Sequence, residues 1–253
     1  MTKLNIVVPM AGAGSRFTHM GYKEPKPLIK IHSVPLIRWV ITNLKPKCSH
    51  QFIFICQKQH LESYPLQSNL KKWAPGCEVI STDGLTEGAA CTVLLARDAI
   101  NNSDPLMIAN SDQYINKCID DYLSLLKSSK LDGLIMTMTA NDPKWSFVGL
   151  DSCGYVNKVV EKKVISNEAT VGIYNFKRGI DYIESADAMI SKNLRVNGEF
   201  YVAPVYNELI KIGKKIGIAN IGKAGAGMYG LGTPYDLEYF ASLNFSKNIA
   251  QKL

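Results

Sequence analysis

From Leu4 to Thr139 the chain alternates short apolar, β-rich runs with stretches of helical periodicity, and this alternation restricts its fold more than any other feature. Strands joined by helical crossovers pair in parallel, so the pattern predicts an α/β layer fold around a largely parallel sheet. Leu4 to Pro9 reads as the first strand, Pro35 to Leu44 as a helix and Gln51 to Gln57 as a second strand. Gly88 to Ile100 reads as a helix with Val93, Leu94, Ala96 and Ala99 on overlapping faces, and Pro105 to Asn110 as a buried strand. Asp120 to Ser129 follows as helix and Gly133 to Thr139 as strand. The second half is less regular. Ser146 to Leu150 and Tyr155 to Glu161 read as a hairpin around the turn-forming Asp151 to Gly154, Thr170 to Phe176 as a strand and Phe200 to Ile212 as a helix.

At 253 residues the chain suits one large domain, read here as 1–253 with a ligand-binding first half, 1–140, and a second half, 141–253. With 46% hydrophobic and 20% charged residues, neither disorder nor a fibrous repeat is expected. The net charge of +7 favours polyanionic ligands through the overall field. The basic residues are scattered as pairs such as Lys71-Lys72, Lys162-Lys163 and Lys214-Lys215, and no basic tract with interleaved aromatics points to nucleic acid. Cys48, Cys56, Cys77, Cys91, Cys118 and Cys153 never form a Cys-x-x-Cys pair, so zinc is not expected. Pro9 and the glycines after it cut the opening apolar run short of a signal-peptide core, and no later run reaches the length of a membrane span. The expectation is a reduced, cytoplasmic chain with no membrane partner.

Chemistry enters where the first strand ends. Pro9-Met10-Ala11-Gly12-Ala13-Gly14-Ser15-Arg16-Phe17 puts small residues and an arginine directly after a buried strand. Glycines let backbone N–H groups approach a ligand, and successive N–H groups in such a turn form an anion-binding concavity suited to phosphate. The run lacks the last glycine of a dinucleotide fingerprint and the Gly-Lys-Ser/Thr ending of a phosphate loop. No acidic residue closes a strand near Gln57 either, which argues against a dinucleotide-dependent oxidoreductase. Next, Glu24-Pro25-Lys26-Pro27-Leu28 fixes Lys26 between two prolines, so that its amine is a pre-aimed charge. Arg16 and Lys26 could then bracket one polyphosphate, or Lys26 could be a solvated amine on a stiff turn. Finally, the apolar Leu106-Met107-Ile108-Ala109 ends in Asn110-Ser111-Asp112-Gln113. Ligands bind beyond the carboxyl ends of such strands, where Asp112 would either hold a hard cation or cap the next turn.

In this order, the three segments resemble the nucleotidyltransferase family that activates sugar phosphates and related phosphate esters in bacterial surface-polysaccharide synthesis, and the likeness covers essentially the whole chain. It implies a Rossmann-like α/β fold with a mixed, mostly parallel sheet flanked by helices, a nucleoside triphosphate substrate and a phosphorylated small-molecule acceptor. By resemblance, Met10, Ala11, Gly12, Gly14, Ser15, Arg16, Lys26 and Ser111 bind the triphosphate and Asp112 binds Mg2+. Glu87, Gly88 and Ala89, within Asp83 to Thr92, belong to a base-reading loop. Glu161 and Lys162 lie near the acceptor phosphate, with Arg16, Lys26 and Lys162 as the catalytic cations. Gln113, Tyr174 and Tyr201, together with Tyr206, could line the acceptor pocket or pack in the core.

One position departs from that pattern. Sugar-1-phosphate members carry a second metal-binding aspartate two residues before a Gly-Thr pair, where this chain has Gly230; Glu199 or water would have to complete the site. The Gly230-Leu231-Gly232-Thr233-Pro234 ending and the Val8-Pro9-Met10-Ala11-Gly12 opening resemble instead a branch from capsule gene clusters. That branch includes a cytidylyltransferase acting on L-glutamine phosphate, so the resemblance implies transfer of CMP from CTP to L-glutamine phosphate. A sugar-1-phosphate or phosphocholine acceptor is the alternative, as is a non-catalytic nucleotide-binding role; a homo-oligomer is left open.

Overall fold

The computed structural model describes residues 2–253. Strand β1 (Leu4–Pro9) leads through the Gly-rich turn into a one-turn helix α1 (Ser15–Thr18), a 3-10 turn over Lys26–Leu28 and the small hairpin β2 (Lys30–Ile31) and β3 (Val34–Pro35). Helix α2 (Leu36–Leu44) and strand β4 (His50–Gln57) follow as the periodicity predicts. Two short helices, α3 (Lys58–Ser63) and α4 (Leu66–Trp73), precede β5 (Glu78–Thr82). The predicted helix over 88–100 is split into α5 (Ala89–Leu94) and α6 (Arg97–Ile100). Leu95 and Ala96 donate to carbonyls three residues back, at 3.1 and 3.0 Å, and this tighter winding ends the α-helical ladder.

Strands β6 (Leu106–Ala109) and β7 (Gln113–Ile115), helix α7 (Ile119–Ser128) and strand β8 (Gly133–Thr139) complete the first half. The second half contains the antiparallel hairpin β9 (Ser146–Leu150) and β10 (Val156–Glu161), strand β11 (Glu168–Phe176) and helix α8 (Gly179–Ser191). The helix expected over 200–212 forms only as a 3-10 turn, Ala203–Val205, leading into α9 (Tyr206–Lys211), because Pro204 cannot donate to an earlier turn. Strands β12 (Ile216–Ala224) and β13 (Gly227–Gly230) and helices α10 (Pro234–Ser242) and α11 (Asn244–Ala250) close the chain.

The main sheet runs β5-β4-β1-β6-β11-β8-β12-β13-β7, with β9 and β10 attached beside β11. Its first four strands are parallel; β11 enters antiparallel to both β6 and β8; β12 is parallel to β8 and to β13. The sheet is therefore mixed and mostly parallel along its main path. Alternating side chains serve two cores. Ile6, Val8, Phe52, Phe54 and Met107 face the α2, α7 and α10 side, while Val7, Ile53, Ile55 and Ile108 face α5, α8 and α9. Helix α2 alone buries Leu36, Ile37, Trp39, Val40, Ile41 and Leu44, each contributing about 1.5–3 kcal/mol for full burial. No helix among the described residues is long and apolar enough to cross a membrane.

Candidate active site

Because β1 pairs in parallel with β6, the Gly-rich turn and the Asn110-Ser111-Asp112 cluster leave the sheet at the same edge. Lys26 reaches that edge from its proline-flanked turn, and its Nζ donates to Asp112 Oδ2 at 2.5 Å. The two side chains keep 22% and 27% of their surface exposed, so the ammonium can exchange this carboxylate for a ligand oxygen without unfolding its loop. Met10, Gly12, Gly14, Ser111 and Asp112 line one cavity with Lys26, of about 250 Å³. Gly14 stands at φ 63, where a left-handed residue begins α1, and a Cβ there would touch the Lys26 side chain at 3.5 Å. Gln57, at the end of β4, donates to the carbonyl of Ala11 at 2.7 Å and fixes the turn from behind.

A second lobe, of about 480 Å³, opens past Asp112 and is shared by Arg16, Gln113, Gly230 and Asp236. Gln113 is buried and donates to the carbonyl of Gly172 at 3.1 Å, so its amide is already held by the β11 bulge. The Gly-Thr-Pro-Tyr-Asp run proves to be a helix start. Thr233 caps α10, accepting from the Asp236 backbone at 3.1 Å and donating its hydroxyl to the Asp236 carboxylate at 2.6 Å, with Pro234 in the first turn.

The third lobe, of about 190 Å³, is lined by Ser146, Glu161, Tyr174 and Tyr201. Burial pushes the Glu161 carboxyl up, against the hydrogen bond from Ser146 and the nearby Lys162 ammonium. Lys162 holds the left-handed φ of 54 and donates from Nζ to the Tyr201 hydroxyl at 2.6 Å, 4.8 Å from the ring centre. That hydrogen bond raises the Lys162 pKa, and burial raises that of Tyr201. Tyr174 is buried and bonded to the Thr170 hydroxyl at 3.0 Å, and burial pushes its pKa up. Tyr206 is core: it is fully buried, stacks on Phe176 and donates to the Asn175 carbonyl at 2.8 Å.

Asn110 lines all three lobes, and Ala89 joins the first to the third. Residues that the sequence reading placed far apart are thus brought to one cleft. The loop over Glu87 and Gly88 is clamped to the Gly198-Glu199-Phe200 segment: Phe200 donates to the Glu87 carbonyl at 2.8 Å and receives from Ala90 at 2.9 Å. Glu199 lies with Glu161, Lys162 and Tyr201, and is not among the groups that line the Asp112 lobe. Ser15 stays exposed at the start of α1. Sequence reasoning missed Arg195, Lys144 and Trp145. Arg195 pairs with Glu87 and lies 4.1 Å over the Phe200 ring, and the Trp145 carbonyl receives the Lys162 N–H at 3.1 Å. Lone polar residues in loops give no pattern that a sequence could reveal.

The family model for nucleotidyl transferases matches residues 6–199. The chain belongs to the nucleotidyl transferase family. Within that family, the catalytic subunit beta of mannose-1-phosphate guanylyltransferase from Dictyostelium discoideum is 26% identical over 198 residues, 76% of this chain. The chain spans only 55% of the length of that relative. Among solved structures, a nucleoside-diphosphate-sugar pyrophosphorylase from Vibrio cholerae RC9 superposes with a TM-score of 0.80 at 25% identity, over 94% of this chain and all of that one. The inositol-1-phosphate CTP transferase from T. maritima shares the fold, with a TM-score of 0.73 at 14% identity over 100% of this chain and 96% of that one.

Proposed function

We propose that this nucleotidyl transferase moves a nucleoside monophosphate from a nucleoside triphosphate to the phosphate of a small acceptor. The observation that carries the reading is the Lys26–Asp112 contact at 2.5 Å inside the glycine-lined recess. An acceptor phosphate oxygen attacks the α-phosphorus, the new P–O bond forms, the bond to the bridging oxygen breaks and pyrophosphate leaves. The nucleophile is already an anion, so no general base is needed. What must be overcome is repulsion, about 4 kcal/mol per pair of unit charges at 4 Å and an effective dielectric of 20.

The chain's own cations answer that repulsion. Arg16 and Lys26 hold the departing pyrophosphate, Arg16 as a planar fork and Lys26 as a point charge. Lys162, steered by Tyr201, draws in the acceptor phosphate. Magnesium fits the chemistry of the Asp112 carboxylate, a hard oxygen donor: Lys26 would have to yield Oδ2 to the ion, and a Cβ at Gly232, which would come within 2.6 Å of that oxygen, is absent. Asp112 would hold the ion, with Asp236 lining the same lobe, and the ion would neutralise α-phosphate charge.

For the specific substrates we propose CTP and L-glutamine phosphate. The support is the Val8-Pro9-Met10-Ala11-Gly12 opening and the glycine at 230, both resembling the capsule-cluster branch. A sugar-1-phosphate acceptor is the second reading, favoured by the names of the Dictyostelium and Vibrio relatives. The two are separated by incubating the protein with magnesium, each common nucleoside triphosphate and a panel of phosphorylated acceptors. Pyrophosphate release is followed and products are identified by mass spectrometry. No release from any pairing would end the transferase reading.

A further inference from the structure

The end of the sheet opposite the candidate active site holds a separate cavity of about 390 Å³. Leu4 at the start of β1, Pro105 before β6, and Leu126 and Leu131 around the end of α7 give it apolar walls. Lys127, Lys130 and Lys177 stand around it, all exposed. Lys177 shares the Asp132 carboxylate with Lys214, at 3.6 and 3.9 Å, whereas Lys127 and Lys130 have no carboxylate within salt-bridge distance among the described residues. Part of this basic rim suits the carbonyl end of α7, where cations are favoured in any helix. Helix polarity has no bearing on Asn175, which lies on β11.

Asn175 lines the same cavity and is fully buried, yet neither its Nδ2 nor its Oδ1 has a hydrogen-bond partner. Strand alternation turns it to the face of Ile173 and Val171, the side on which α7 packs. A buried carboxamide with both atoms unpaired is costly, and native folds rarely keep one without a partner from outside the chain. An apolar recess, one convergent polar group and a charged rim are the elements of a small-molecule site.

We propose that this cavity is a second binding site, taking a free small amphipathic anion. Its apolar body would lie on Leu4, Leu126 and Leu131, a polar atom would meet the Asn175 amide, and a carboxylate or phosphate would face Lys127 and Lys130. The site is independent of the transfer reaction, since none of its residues lines the catalytic lobes.

The test uses the full chain and calorimetric titration with octyl phosphate and octanoate, with octylamine as the charge control. Both anions are expected to bind at least about tenfold more tightly than octylamine. Joint Lys127→Glu and Lys130→Glu substitution should weaken them by about tenfold, with only a small fall in unfolding temperature from the reversed charges at the end of α7. Asn175→Leu should weaken binding and raise the unfolding temperature of the free protein, because an apolar side chain of similar size removes the unpaired amide. Equal affinity for octylamine, or no binding of either anion, overturns the proposal. So does displacement of octyl phosphate by CTP, which would put it in the catalytic cleft. Binding only to phosphatidylglycerol vesicles, abolished by the same lysine reversals, would replace the small-molecule site with a membrane contact.

Discussion

Gly88 packs its bare Cα against the Phe200 peptide, at φ 129, with Phe200 hydrogen-bonded to residues on either side of it. A Cβ at 88 would run into the Phe200 backbone, which no side-chain rotamer can relieve. Gly88→Ala should therefore destabilise the fold by about 1–3 kcal/mol, the usual cost of overpacking, with the positive φ adding to it. Gly12→Ala, where nothing lies within 4 Å of the added carbon, should leave the unfolding temperature unchanged. Thermal unfolding of the two variants side by side checks the contrast.

Loss of a charge aimed at the transition state acts on turnover. Lys26→Ala and Asp112→Asn should each lower turnover by about a hundredfold or more with the fold intact. Steady-state pyrophosphate release, with circular dichroism as the folding control, measures this; a rate within a few-fold of the parent removes that residue from the mechanism.

Tyr201→Phe deletes only the hydroxyl that receives the Lys162 ammonium. The lysine keeps its charge and loses its direction. The expected result is a raised KM for the acceptor with the KM for the nucleotide unchanged, read from two-substrate kinetics.

Arg195→Ala should raise the nucleotide KM. Arg195 pairs with Glu87, donates to the Gly198 carbonyl at 3.1 Å and stacks on Phe200, so it braces the loop from outside. The stacking contributes about 0.5–1 kcal/mol at such an exposed place, and the unfolding temperature should fall only slightly.

The pH dependence of stability tests Glu161. Burial raises its carboxyl pKa above the ordinary 4.5, so above that pH the unfolded chain releases a proton that the folded one still holds. Stability is then lost as pH rises from 4.5 through the folded pKa. Glu161→Gln carries no such proton, and its stability relative to the parent should improve across that interval. Denaturant melts at stepped pH values give the difference; a constant offset would mean that burial leaves this carboxyl's titration unshifted.

Much of the first half was legible because its longer elements carry period: β1, α2, β4, β6 and β8 all lie where the periodicity put them, whereas α3, α4 and β5, short and half-exposed, went unread. The site was legible where backbone chemistry is constrained, as at Gly14 with its left-handed φ and at Lys26 between prolines. Strand β12 escaped because Ile216 and Gly217 are buried while Lys223 and Ala224 are exposed, a strand half inside and half outside the core with no single alternation. Helix α8 was missed for the opposite reason: buried Asp181 and Ser185 interrupt its apolar face. The clamp between Glu87 and Phe200 joins distant backbone groups, and backbone groups are identical at every position, so no residue pattern announces it.

Strand β11 pairs with β6 on one side and β8 on the other, although both of those precede it in the chain. As the polypeptide leaves the ribosome, β6 and β8 must therefore wait with unpaired edges until Phe176 has emerged, and β8 waits longer still for β12. Exposed strand edges are templates for pairing with other chains. A nascent chain stalled between Thr139 and Glu168 should for that reason be a preferred client of chaperones, and the third lobe, walled by Thr170 and Tyr174, can form only after β11 has arrived.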